Sequence, residues 1–180
     1  MYRETDFEAI GKMDAVSLEE MSSVSLMNRI DTKFVTTVEK LRLVLEDAFQ
    51  AGYRVCEISG QRLMAYASVY YDTPDLQMYT AHRNGKKTRQ KVRVRTYLID
   101  DETFLEIKRK NNRGRTKKKR ISIPASSVMD FGAVPEASAF LEKKSWWKAS
   151  DLTPETTTDF CRFTLVNKAM TERLTIDINL

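Results

Sequence analysis

The chain alternates most strictly where it is most charged. In Lys91-Val92-Arg93-Val94-Arg95 every second residue is apolar, and Leu105 and Ile107 repeat the pattern between Glu106, Lys108 and Lys110. A period of two describes a strand with one apolar and one charged face. The pattern predicts three closely spaced strands, 88–99, 103–110 and 115–123. Asp100-Asp101 and Asn111-Asn112-Arg113-Gly114 supply the turns of an antiparallel meander. Further strands are expected over 29–37, 53–58, 63–72, 158–166 and 172–180. Between them the period changes to 3.6. Leu41, Val44, Leu45, Ala48 and Phe49 form one stripe, Thr36 or Thr37 can cap it, and Gly52 ends it. A short helix is expected from Pro74 to Ala81. Two more are expected between Pro124 and Ala149, with Pro135 opening the second and Phe140, Leu141 and Trp147 packing on the sheet. Residues 1–28 read as an amphipathic N-terminal helical extension with a capping box at Ser17-Leu18-Glu19-Glu20. Residues 29–180 then form one domain of about eight antiparallel strands with helices to the sides. That is α+β, as a barrel or strongly curled sheet.

Strand phase sorts the charged residues. Arg89, Lys91, Arg93, Arg95 and Tyr97 share a face opposite Val92, Val94 and Leu98. Glu106, Lys108 and Lys110 oppose Leu105 and Ile107; Lys118 and Arg120 oppose Ile121 and Ile123. Near the C-terminus, Arg162 and Thr164 oppose Cys161, Phe163 and Leu165, and Arg173, Thr175 and Asp177 oppose Leu174, Ile176 and Ile178. Lys117, Lys119 and Arg109 fall on the other side. A charged face on five strands is ordinarily a solvated one. Here every one carries Arg or Lys, and a surface that basic repels itself. Closing the sheet with the charged side inward would line a tunnel with cations and call for an anion.

Charge sharpens this. Sixteen of the thirty Lys and Arg residues lie between Arg83 and Arg120, against four acids, a net of +12 inside a chain of net +5. No apolar run is long enough to span a bilayer, and the N-terminus lacks an apolar signal segment, so a cytoplasmic location is expected. Cys56 and Cys161 have no paired spacing and read as free thiols. A single histidine, His82, excludes His-rich metal sites and leaves any Ser/His/Asp triad dependent on it alone. His82 reads as a surface residue of a short helix.

The ordered segments Arg29-Ile30-Asp31-Thr32-Lys33-Phe34, Ser68-Val69-Tyr70-Tyr71-Asp72-Thr73-Pro74-Asp75, Val92-Arg93-Val94-Arg95, Phe104-Leu105-Glu106-Ile107-Lys108, Lys118-Lys119-Arg120, and Arg162 followed by Glu172-Arg173-Leu174-Thr175-Ile176-Asp177 resemble the VTC domain. This is the polyphosphate polymerase domain of the triphosphate tunnel metalloenzyme, CYTH-like superfamily. The resemblance covers Arg29 onward. It implies an antiparallel tunnel with a basic interior that moves the γ-phosphoryl of ATP onto polyphosphate. It also implies that Arg93, Arg95, Lys108, Arg162 and Arg173 are catalytic, and that these residues with Lys33, Lys118 and Arg120 hold phosphate oxygens. Glu106, Asp31 and Asp177 would serve a Mn²⁺ or Mg²⁺ ion. Arg29-x-Asp31-x-Lys33 stands where CYTH relatives carry ExExK, which favours the polymerase-type members.

The resemblance further implies C-terminal strands beyond Leu180. The tunnel domain is therefore expected to be truncated or open there, with strand edges that a second copy could pair in a homodimer. Two other readings stay open beside the polymerase: a non-catalytic polyphosphate- or nucleotide-binding module, and a tripolyphosphatase-type hydrolase. Single-stranded nucleic acid is not the expected partner. Tyr70 and Tyr97 are the main aromatics on the charged faces, too few for a base-stacking platform.

Overall fold

The computed structural model describes residues 1–23 and 32–180. In chain order its elements are α1 (Glu8–Lys12), β1 (Ala15–Val16), α2 (Leu18–Ser23), α3 (Val38–Gln50), β2 (Arg54–Cys56), β3 (Met64–Asp72), α4 (Gln77–Arg83), β4 (Arg89–Tyr97), β5 (Glu102–Lys110), β6 (Thr116–Ser122), α5 (Pro135–Lys144), β7 (Thr153–Val166) and β8 (Arg173–Ile178), with short 3-10 turns between some of them. The architecture is α+β, with antiparallel pairing dominant. Among the described residues no helix is long and apolar enough to cross a membrane.

The chain divides into two compact units, Met1–Met64 with Phe160–Leu180, and Ala65–Asp159. The strand β7 contributes to both.

In the first unit β2 pairs antiparallel with β7, Arg54 facing Val166, and β7 pairs with β8. The period-two reading of 158–166 and 172–180 places Phe163, Leu165 and Ile178 on the buried side. They join Phe7, Ile10, Leu41, Leu45 and Ala48 in one core. The α3 stripe buries Leu41, Leu45 and Ala48, with Phe49 half-buried beside them, but Val44, which the spacing also placed on it, is exposed. Thr37 caps it by accepting from the Lys40 amide, and Gly52 follows at φ 74°, a conformation glycine adopts without strain. Ser17 and Glu20 form the expected reciprocal cap: each side chain accepts from the other's backbone N–H, at 3.1 and 3.0 Å. The two-residue strand β1 was too short to leave a periodic signal. It runs parallel to β2, with Ala15 opposite Val55.

One strand expectation fails. Of 29–37, residues 29–31 lie outside the described residues, and 32–37 belong to no helix or strand. Phe34 is 85% exposed and Val35 fully so. Alternation alone does not make a strand without a neighbour to pair with and a core to cover.

In the second unit β4, β5 and β6 form the predicted meander, and β3 pairs antiparallel with β4 beside it. Val69, Tyr71, Val92, Val94, Leu105 and Ile107 face the core. Phe131, Ala137, Leu141 and Leu152 cover them, with Trp147 and Phe140 half-buried at the margin. Leu98 corrects the predicted phase: β4 ends at Tyr97, and Leu98 is exposed in the turn that follows. The helix expected from Pro74 starts later. The buried Asp72 carboxylate accepts the Met78 and Tyr79 amides at 2.9 and 2.7 Å and so sets the first turn of α4 at Gln77. The strand β7 begins at Thr153, earlier than the alternation suggested, because 153–157 are exposed and carry no apolar phase.

Candidate functional site

Pairing register fixes which side chains stand together. On the face opposite the core, Tyr70, Arg93, Glu106 and Arg120 occupy successive paired positions across β3, β4, β5 and β6. In the next row towards one end stand Ser68, Arg95, Phe104 and Ser122; towards the other stand Lys91, Lys108 and Lys118. Side chains on paired positions of one face lie about 5 Å apart. Five of the predicted phosphate-binding residues, Arg93, Arg95, Lys108, Lys118 and Arg120, are therefore gathered on a single patch. Lys117, Lys119 and Arg109 have the opposite phase, as expected.

Among the described residues Glu106 is the one carboxylate in these three rows, and its side chain is wholly buried. Arg93 donates to its Oε2 from Nε at 2.8 Å and from Nη2 at 2.6 Å, while Lys118 forms an ion pair with Oε1. The two oxygens are thus shared between two cations. Arg120 stands directly opposite Glu106 in the register yet stacks over the Phe104 ring at 4.1 Å. Arg93 also donates from Nη1 to the Tyr70 hydroxyl at 3.1 Å. Arg95 is held at Nε by the buried Ser68 hydroxyl at 2.9 Å and lies over the Tyr66 ring at 5.3 Å. Both guanidiniums are nearly buried and fixed on their inner edges before any ligand arrives.

Electrostatics follows from this crowding. Burial pushes the Glu106 carboxyl up, but Lys118 and Arg93 outweigh burial and hold it below the usual carboxylate range. Lys108 faces Lys91 and Lys118 across its two neighbouring strands. Burial first, then repulsion from Arg93 and Lys118, brings its ammonium down to about 8. Lys118 is also lowered by burial, with Glu106 opposing the shift. The patch thus carries more cations than one carboxylate can neutralise, and an anion with several oxygens relieves the imbalance.

Arg162, Arg173, Asp177 and Lys33 belong to the first unit. In the first unit Arg162, Thr164, Thr175, Asp177 and Arg173 share one face of β7 and β8. Arg162 grips both oxygens of Asp177, at 2.6 and 2.8 Å, and Arg173 is exposed. Lys33 is exposed outside any strand, which corrects its expected place on a first strand. Asp31 lies outside the described residues.

The implied metal finds no cage among the described residues: no three His, Cys, Asp or Glu side chains cluster to hold an ion. The two described candidates, Glu106 and Asp177, have their oxygens engaged by Arg93 and Lys118 and by Arg162. They do not fit a preformed divalent site, which needs several oxygen donors turned to one point. Three residues that reasoning on the sequence passed over also belong to the patch: Ser68, Tyr66 and Phe104. Their parity gave the signal, since Tyr66 and Ser68 are in phase with Tyr70, and Phe104 with Glu106.

The sheet thus carries a core on one face and, on the other, fixed guanidiniums beside Glu106. The VTC domain matches residues 28–180, and the chain belongs to that family. No curated protein matches it. Among solved structures it is similar to a Vibrio parahaemolyticus protein that carries the provisional designation adenylate cyclase. The two share 12% identity at a TM-score of 0.46, over 79% of this chain and 63% of the other. The chain thus spans less than two thirds of that relative's length.

Proposed function

We propose that the Arg93–Glu106 patch binds the phosphate chain of a nucleoside triphosphate or of polyphosphate. We further propose that in the whole protein this domain moves the γ-phosphoryl of ATP onto a polyphosphate chain. Membership of the VTC-domain family supports a triphosphate-handling domain. The observation that carries the reading is the register: Arg93, Arg95, Lys108, Lys118 and Arg120 come to one face, and among the described residues Glu106 is the one carboxylate in their rows.

Phosphoryl transfer asks a protein for positioning and charge stabilisation more than for covalent chemistry. Arg93 and Arg95 are pre-set by Glu106, Tyr70 and Ser68, so little ordering is left to do when phosphate oxygens arrive. Lys108 and Lys118 sit one row further along and would receive charge that develops there. Arg162 and Arg173, on β7 and β8 of the first unit, are proposed to bind phosphate oxygens as well, and Glu106 and Asp177 to act chiefly as counter-ions. Incubating the protein with ATP and Mn²⁺ tests the reading. ADP and polyphosphate should form, and Arg93→Ala should abolish both products. Equal product from the variant would contradict it.

The described carboxylates favour a second reading, in which the domain holds polyphosphate without turnover, because they are paired with cations rather than gathered around an ion. Tight binding of polyphosphate with no ADP formed would select it.

A further inference from the structure

The charged face is not uniform along its length. Phe104 lies four residues before Lys108 on β5, a distance of about 13 Å. At the Lys108 end the register brings together lysines. At the Phe104 end it brings together rings: Tyr66 opposite Tyr97, and Phe104 opposite Arg95. Tyr97 stands edge-on to Tyr66 at 5.1 Å and to Phe104 at 5.7 Å between ring centres. None of the three belongs to the hydrophobic core, which lies on the opposite face with Val94 and Leu105. All three are half-buried.

Two guanidiniums already lie over this cluster, Arg95 over Tyr66 and Arg120 over Phe104 at 4.1 Å. Arg120 is exposed, and a flat aromatic ligand can extend the Phe104–Arg120 stack. Base–aromatic stacking of this kind tolerates any base, because each has a π-face.

We propose that Tyr66, Tyr97, Phe104 and Arg120 form a nucleobase subsite that makes the face prefer a nucleoside triphosphate to bare tripolyphosphate. This rests on the phosphate-binding reading of the neighbouring Arg93–Glu106 patch. It gives the ligand a direction: base at the Phe104 end, phosphates over Arg95 and Arg93, terminal phosphate towards Lys108 and Lys118. Tyr97 and Phe104 act here as specificity residues.

The test compares affinities for ATP and for tripolyphosphate, by calorimetry on the whole chain. Tyr97→Leu should weaken ATP on the order of tenfold and leave tripolyphosphate unchanged. Phe104→Trp, which enlarges the stacking surface, should tighten ATP alone. Equal changes for both ligands, or none for ATP, would overturn the subsite, since rings that merely brace the strands cannot discriminate between them. Failure of the unsubstituted protein to bind tripolyphosphate would overturn the phosphate reading beneath it, and the subsite with it.

Discussion

Arg93 places both Nε and Nη2 on the same oxygen of Glu106, at 2.8 and 2.6 Å, and leaves the other oxygen to Lys118. The carboxylate is wholly buried and Arg93 nearly so. Removing one partner of such a pair strands the other's charge, at a cost of about 3–5 kcal/mol. Glu106→Gln keeps the shape and removes the charge, so it should lower the melting temperature markedly. It also leaves Arg93 and Lys118 without their counter-ion, so added tripolyphosphate should raise the variant's melting temperature more than the parent's. A thermal-shift series with and without tripolyphosphate reads both effects. An unchanged melting temperature would show that the pair holds nothing in place.

Lys108 gives a pH signature. Its folded ammonium is lowered to about 8 from an ordinary 10.5, by burial and by the cations around it. Between those values the unfolded chain binds more protons than the folded one, so stability rises with pH across that window. Lys108→Gln should therefore be more stable than the parent below about pH 8, with the difference fading towards pH 10.5. Charged ligand oxygens favour the protonated form, so ligand binding near pH 8.5 should take up a proton. Calorimetry in two buffers of different ionisation enthalpy measures this, and the uptake should vanish in Lys108→Gln.

The apolar side of the same strands holds the patch in register. Leu105 is fully buried between Val94 and Ile121 in the pairing. Leu105→Ala should cost about 2–5 kcal/mol in denaturant unfolding. Lys119→Ala, on the same phase but exposed, should cost less than about 0.5 kcal/mol.

Much of this was legible in the sequence because a meander is local. Once 88–99, 103–110 and 115–123 are read as strands with short turns, parity alone puts Arg93, Lys108 and Arg120 on one side and Val94, Ile107 and Ile121 on the other. Pairing partners were harder to read. Arg120 faces Glu106 in the register but stacks on Phe104, while Lys118 takes the carboxylate. Side-chain reach decides that, and periodicity does not encode it. The segment around Lys33 misled for the converse reason: in the sequence Ile30 and Phe34 alternate with Arg29, Asp31 and Lys33, but alternation says nothing of whether a partner strand exists. The family resemblance implied a metal-side role for Glu106. Its burial between two cations appears only in three dimensions.

Salt separates the two kinds of charge on the patch. The Arg93–Glu106 contact is buried and feels little screening, whereas a ligand bound by half-exposed lysines is screened at a Debye length of about 8 Å in physiological salt. Raising ionic strength should weaken tripolyphosphate binding steeply while leaving the melting temperature of the free protein nearly constant. Parallel titrations and melts at several salt concentrations compare the two.

On this reading the second unit's charged face is a phosphate-chain site built from arginines set in place by their own neighbours. The most direct measurement is the affinity for tripolyphosphate in the presence of EDTA, for the parent, Arg95→Gln and Lys119→Ala. The parent should bind without added metal. Arg95→Gln should lose about 10- to 100-fold, the worth of a charged hydrogen bond. Lys119→Ala, on the opposite face, should bind as the parent does. No binding by the parent, or equal losses in the two variants, would contradict it.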